Sequence, residues 1–239
     1  MSRNFKDIVN AVSRKYHNHP NLIGILWIGS SSFGIKDNQT DIDIRLLVSQ
    51  NQKQFPMQQF QLDGIEIEID EMSWQWLTEN DRVDSEERWI REKGVILFDP
   101  KGKIAAKFKE LATKMKAKTK RELWESFKSV FYSNDIEKCL KRDDKIVSSL
   151  YFFTAVDNIL RFIFLYKEQP VPPFKWRWYF LTKNRLLSKK SIDSIKEILL
   201  GTRLIDSKLK LLYGVEREIQ QLTIKKGYKK EQVLEHWRF

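Results

Sequence analysis

Two aspartates one residue apart, Asp41 and Asp43, stand among apolar neighbours in the stretch Thr40 to Val48, a short polar loop after the pair Gly29-Ser30. Side chains alternate faces along a strand, so Asp41 and Asp43 point one way while Ile42 and Ile44 point into a core. Two carboxylates side by side repel each other unless a cation lies between them. Hard oxygen ligands held close together suit Mg2+, which keeps part of its water shell and joins protein carboxylates to phosphates. Gly29 lets the backbone approach a phosphate closely, and Ser30 offers it a hydroxyl and an amide. The chemistry these types and spacings suggest is metal-assisted handling of a phosphate ester.

The elements that must hold these residues can be read from periodicity. Leu22 to Ile28 is an apolar run that stops at Gly29-Ser30 and reads as a buried strand; Thr40 to Val48 is a second. A helix is expected over residues 3–18, with Phe5, Ile8, Val9, Val12 and Tyr16 on one face. His17 and His19 follow in a turn and read as solvent-exposed, without a ligand role. Phe55 to Gln61 suggests a short strand, and Asp63-Gly64 a hairpin turn. Ile65 to Asp70 then alternates strictly, placing Glu66, Glu68 and Asp70 on one face, which must be solvated or meet a cation. Periodicity does not choose among these three acids.

Helices are expected over 73–92, and a strand over Gly94 to Phe98, closed by Asp99-Pro100-Lys101-Gly102. Beyond Lys103 no strand pattern remains. Helical spacing covers 104–118, 119–142, 144–167, 189–201, 203–222 and 228–238, with breaks marked by Gly214 and Gly227. The last of these holds His236 and Trp237. In the 144–167 segment Asp157 and Arg161 lie one turn apart and read as a surface pair, or else as a cleft pair in which Asp157 accepts a proton. The fold class is therefore α+β: an N-terminal domain over 1–100, with a mixed sheet and flanking helices, then an all-helical bundle over 101–239.

The net charge is +11, unevenly spread: residues 1–100 hold 11 Lys+Arg against 16 Asp+Glu, and 101–239 hold 32 against 16. An acidic half joined to a basic half suits an anionic substrate such as a nucleoside triphosphate, and also suits RNA. One cysteine, Cys139, excludes an internal disulfide framework and suits a reducing compartment. The polar start, Met1 to Asn10, lacks a signal-peptide core, and no uncharged apolar run reaches the length of a membrane span. A cytoplasmic protein without a membrane partner is expected.

Gly29-Ser30, a polar loop, and Asp41-x-Asp43 between apolar residues together resemble the signature of the nucleotidyltransferase superfamily typified by DNA polymerase beta. Gly34 stands where many small-molecule members carry a second glycine. The ending Gly-Val-Ile-Leu-Phe-Asp-Pro-x-Gly from Gly94 resembles the last sheet strand of the bacterial aminoglycoside and lincosamide branch. The resemblance implies one or two Mg2+ ions held by Asp41, Asp43 and a third carboxylate from a following strand. It also implies a triphosphate, ATP or another, held at Gly29 and Ser30. In kanamycin and streptomycin nucleotidyltransferases the third acid shortly precedes a helix. With Ser73 as that helix's N-cap this favours Glu68, with Asp70 and Glu66 as alternatives. The proline-bearing connector Pro170 to Pro173 and the Lys175-Trp176 helix start are similar to the helical domain of bacterial relatives, where the lysine points at the triphosphate. By that likeness Lys175 holds phosphate.

The implied reaction transfers a nucleoside monophosphate, AMP if ATP is the donor, to a hydroxyl of a small molecule such as an antibiotic, with pyrophosphate leaving. Glu66, Asp70, Glu71 and Asp157 would serve a cationic drug, but the basic second half suits an anionic acceptor better. An RNA (tRNA) or protein nucleotidyltransferase of toxin type is therefore the alternative, as is a non-catalytic homologue that binds nucleotide or nucleic acid.

Overall fold

A computed structural model describes residues 5–35, 40–49, 56–79, 82 and 85–235. The chain divides into two compact units, Met1–Lys116 and Ala117–Phe239.

The first unit is built on a five-stranded sheet of order β3-β4-β2-β1-β5. Its strands are β1 (Leu22–Ile28), β2 (Ile42–Val48), β3 (Gln58–Leu62), β4 (Ile65–Ser73) and β5 (Val95–Phe98). Only β2 and β4 run parallel; β1 pairs antiparallel with both β2 and β5, and β3 with β4. The β3–β4 hairpin turns at Asp63 and Gly64, whose φ angles are 55° and 73°. That is the positive-φ pair a tight two-residue hairpin demands.

Helix α1 (Phe5–Arg14) covers one face of this sheet. Val9 and Val12 pack there against Ile25, Trp27, Ile42, Ile44, Leu46, Ile65, Ile67 and Ile69, the alternate residues of the strands. The opposite face carries Leu26, Ile28, Leu47 and Met72, covered by α3 (Trp74–Glu79), α4 (Glu86–Lys93) and the start of α5 (Lys103–Lys128) through Leu77, Ile90, Ile104 and Phe108. Ser73 caps α3, its Oγ accepting from the Trp76 amide at 3.3 Å.

Among the described residues no strand follows β5, but the compact unit of the sheet runs on to Lys116 because Ile104 and Phe108 of α5 belong to its core. Sequence spacing split α5 into two helices near residue 118; it is one continuous helix of 26 residues.

The second unit contains the rest of α5 and α6 (Ser133–Lys141), α7 (Lys145–Tyr166), α8 (Phe174–Lys183), α9 (Lys189–Leu200), α10 (Ile205–Lys225) and α11 (Lys230–Glu235). The α7 helix is its centre, with Phe152, Ile159, Phe162 and Ile163 among its buried residues. By length and hydropathy α7 is apolar enough to cross a membrane, although Asp157 and Arg161 interrupt its apolar run. It also contacts α6, α8, α9 and α10, as the core helix of a bundle does. Gly214 does not break α10, which runs through it. His236 and Trp237 lie outside the described residues.

Candidate active site

The β1–β2 and β2–β4 registers assemble the acidic site. Ile28, the last residue of β1, stands across from Asp43, and Asp43 stands across from Glu68 on the parallel neighbour β4. By strand parity Asp43, Glu68 and Asp70 share the sheet face that further along carries Leu47 and Met72. Neither Glu66 nor Asp70 occupies the position opposite Asp43: Glu66 is held by Gln59 on β3, and Asp70 stands opposite Arg45. Asp70 Oδ1 accepts from the Glu71 amide at 2.9 Å.

Between the two carboxylates lies a cation that the sequence reading passed over. Arg45 Nη2 is 2.6 Å from Glu68 Oε1 and 3.8 Å from Asp43 Oδ1, and the three side chains are only 17%, 27% and 19% exposed. The signal was present in the sequence: Arg45 is two residues beyond Asp43, hence on the same face of the same strand. It compensates a pair of like charges that the register forces together.

The turn after β1 is α2, the four residues Gly29–Ser32. Trp27 Nε1 donates to Ser31 Oγ at 2.9 Å, and Ser32 Oγ donates to the Gly29 carbonyl at 2.8 Å. The Ser30 carbonyl accepts from the amides of Phe33 and Ile35, both at 3.1 Å, so the turn is closed on itself. Gly29 has φ +78°, and a Cβ added there would lie 1.9 Å from Asp43 Oδ2. The space a side chain would take at Gly29 is filled by the Asp43 carboxylate, so this glycine seats the acid directly beside the turn. Ser30 is buried in that turn.

The structure thus brings together Gly29, Ser30, Asp43 and Glu68. Asp41 is half-buried and precedes β2. Among the described residues, no group of three or more carboxylate, imidazole or thiol side chains is arranged to hold a metal ion. The donor set at Asp43 and Glu68 nevertheless fits a hard divalent ion: two carboxylates in register already share one cation, and Gly29 leaves open the volume one of them needs.

Lys175 belongs to the second unit. It lines a cavity of about 200 Å3 with Phe153, Asp157, Phe174 and Trp178, and its Nζ lies 5.7 Å from the Trp176 ring centroid. Asp157, placed one turn from Arg161 by the sequence, pairs with Arg177 of α8, which also donates through Nε to the Pro172 carbonyl at 3.1 Å. This tertiary pair ties the proline connector to α7.

The two histidines are not the solvent-exposed pair expected. His17 stacks on Phe98 at 3.9 Å between ring centroids, and His19 Nε2 lies 3.3 Å from the buried Glu71 carboxylate. Cys139 is free and half-buried in α6.

No family model and no curated protein matches this chain. Among solved structures it is similar to a nucleotidyltransferase-like protein from Exiguobacterium sibiricum, at 15% sequence identity, covering 97% of this chain and 78% of that one, with a TM-score of 0.49. That is a distant likeness of outline, and the functional reading rests instead on the residues of the sheet.

Proposed function

We propose that this chain is a Mg2+-dependent nucleotidyltransferase that moves a nucleoside monophosphate, AMP from ATP in the first instance, to an acceptor hydroxyl. The observation that carries the reading is the register of Asp43 with Glu68 beside a turn whose glycine is open to the Asp43 carboxylate. It supports the sequence signature of Gly29-Ser30 and Asp41-x-Asp43 with a spatial arrangement that the signature alone does not supply.

Asp43 and Glu68 would hold the metal, with Asp41 as the further carboxylate that the sequence resemblance implies; when bound, the metal supplies charge neutralisation at the triphosphate and lowers the barrier to in-line displacement. Glu68 is also proposed as the general base that accepts the acceptor hydroxyl's proton. The Gly29-Ser30 turn, fixed by its internal hydrogen bonds, presents the Ser30 amide and hydroxyl to phosphate oxygens without having to order itself during the reaction. Lys175 is proposed as a further phosphate ligand on the strength of the sequence resemblance alone. Asp43 and Glu68 do most of the work by position and charge, so few other reactive side chains are required.

The acceptor proposed is a small hydroxyl compound such as an aminoglycoside, with tRNA or protein as the competing classes. Incubation with each of the four α-labelled nucleoside triphosphates and Mg2+, against aminoglycosides, tRNA and cell protein, tests this. Label transfer with release of pyrophosphate is expected, abolished by Asp43→Asn with the fold intact by circular dichroism. Full transfer by Asp43→Asn would remove the mechanism.

A further inference from the structure

The Arg45 guanidinium sits where a metal ion serving Asp43 and Glu68 would have to sit. It is in hydrogen-bonding contact with Glu68, at 2.6 Å, and within ion-pair distance of Asp43, at 3.8 Å. Arg45 projects from the middle of β2 and is largely buried, so it is held at the acids by the strand rather than arriving as a mobile surface chain. Asp70 shares this face and stands opposite Arg45 in the register. A divalent cation must displace Arg45 from Glu68 to gain both carboxylates.

We propose that Arg45 is a built-in counter-ion that competes with the divalent metal for Asp43 and Glu68 and so sets the metal affinity of the site. In the metal-free protein Arg45 keeps the two acids from repelling each other and holds their geometry. When the metal arrives the guanidinium gives up Glu68 and stays close by, and its positive charge weakens metal binding. This inference rests on the proposed metal site, and it concerns a positioning residue rather than a catalytic one.

Mn2+ binding followed by electron paramagnetic resonance, with wild type, Arg45→Gln and Asp43→Asn, tests it without any need for turnover. Loss of one positive charge a few ångströms from the ion should tighten Mn2+ binding at least about fivefold in Arg45→Gln. The same substitution should lower the melting temperature in EDTA and enlarge the rise that Mg2+ produces, since the acids then lack their resident cation. In wild type labelled with 15N, Mg2+ should shift the Arg45 Nε–H resonance, a readout that does not depend on the variant folding. Equal or weaker Mn2+ binding by Arg45→Gln, or an unmoved Arg45 resonance at saturating Mg2+, would overturn the role given to Arg45 while leaving the metal site in place, provided Asp43→Asn has lost binding. Wild-type Mn2+ affinity in Asp43→Asn would instead overturn the metal site itself, and the proposed function with it.

Discussion

Replacing Gly29 by alanine should do two separable kinds of damage, and Gly34 supplies the control that separates them. Both glycines lie in the left-handed region, at φ +78° and +79°. An L-residue there costs about 1–2 kcal/mol at either position. At Gly34 that is the whole effect, because no described atom lies within 4 Å of the added Cβ. At Gly29 the new Cβ would stand 1.9 Å from Asp43 Oδ2 and 2.9 Å from its Cγ, where ordinary contact begins at 3.4 Å. The Asp43 backbone is fixed in β2 between Ile28 and Glu68, so the side chain must rotate away about χ1. Leaving its rotamer well and its guanidinium partner adds about 1 kcal/mol. Gly29→Ala should therefore lose about 2–3 kcal/mol of stability where Gly34→Ala loses about 1–2. Urea unfolding followed by tryptophan fluorescence measures both, and Mn2+ titration measures what the rotation does to the site. Gly29→Ala should bind Mn2+ at least about tenfold more weakly than Gly34→Ala, a loss of about 1.4 kcal/mol. Equal stability losses together with equal Mn2+ affinity would mean that the Asp43 carboxylate does not rest against this turn.

Two further outcomes concern the helical unit. Glu216 is fully buried and accepts from the Tyr132 and Ser133 amides, each at 3.2 Å, and from Ser133 Oγ at 2.7 Å, so it caps the start of α6 from a distant helix. Glu216→Ala should cost about 2 kcal/mol or more in urea unfolding, because a buried and a part-buried amide and the Ser133 hydroxyl lose their acceptor; a loss below about 0.5 kcal/mol would refute the cap. Burial works against the Glu218 carboxylate, but donation from the Ser188 and Ser191 hydroxyls and the Ser188 amide outweighs it and holds the acid below its ordinary value of 4.5. A depressed native value means stability that is present above 4.5 and lost as pH falls through the lower native value. Wild type should therefore lose more stability than Glu218→Gln between pH 5 and 3, and parallel losses would contradict the assignment.

Much of the site was legible in the sequence because it depends on local rules. Strand parity put Asp43 on the face away from Ile42 and Ile44, and Glu66, Glu68 and Asp70 on another strand's single face, whereas Asp41 precedes β2 and lies outside its alternation. The hairpin at Asp63-Gly64 followed from turn chemistry, and both residues adopt positive φ. Which acid meets Asp43 is a question of register between β2 and β4, and those strands are parallel with β3 intervening in sequence. No local pattern encodes that pairing. Arg45 was missed for a different reason: a search for carboxylates to hold a metal ignores the cation that stands in its absence. In the helical unit, helical spacing pointed Asp157 at Arg161, but its pairing with Arg177 on α8 is a tertiary contact that no local spacing encodes. Gly214 failed as a breaker because one glycine costs a helix about 1 kcal/mol, less than α10 recovers by burying Leu212, Val215 and Ile219 around it.

The position of the acids along their strands explains how one sheet face can serve both a core and a charged site. On β2 the face passes from Asp43 through Arg45 to Leu47, and on β4 from Glu68 through Asp70 to Met72, in steps of two residues. Leu47 is completely buried and Met72 nearly so, beneath Leu77, Ile90 and Ile104. Asp43, the second residue of β2, and Glu68, its register partner on β4, remain partly exposed because they lie beyond that helical cover. A carboxylate pair moved one step along into the dry part of the face would need a partner or would remain protonated. Where it stands, the pair is solvated on one side and balanced by Arg45 on the other. Ending β1 at Ile28, across from Asp43, brings the Gly29 turn to the same end of the sheet. A charged, half-solvated site is thus built from the same alternation that makes the core, and what distinguishes it is where the covering helices stop.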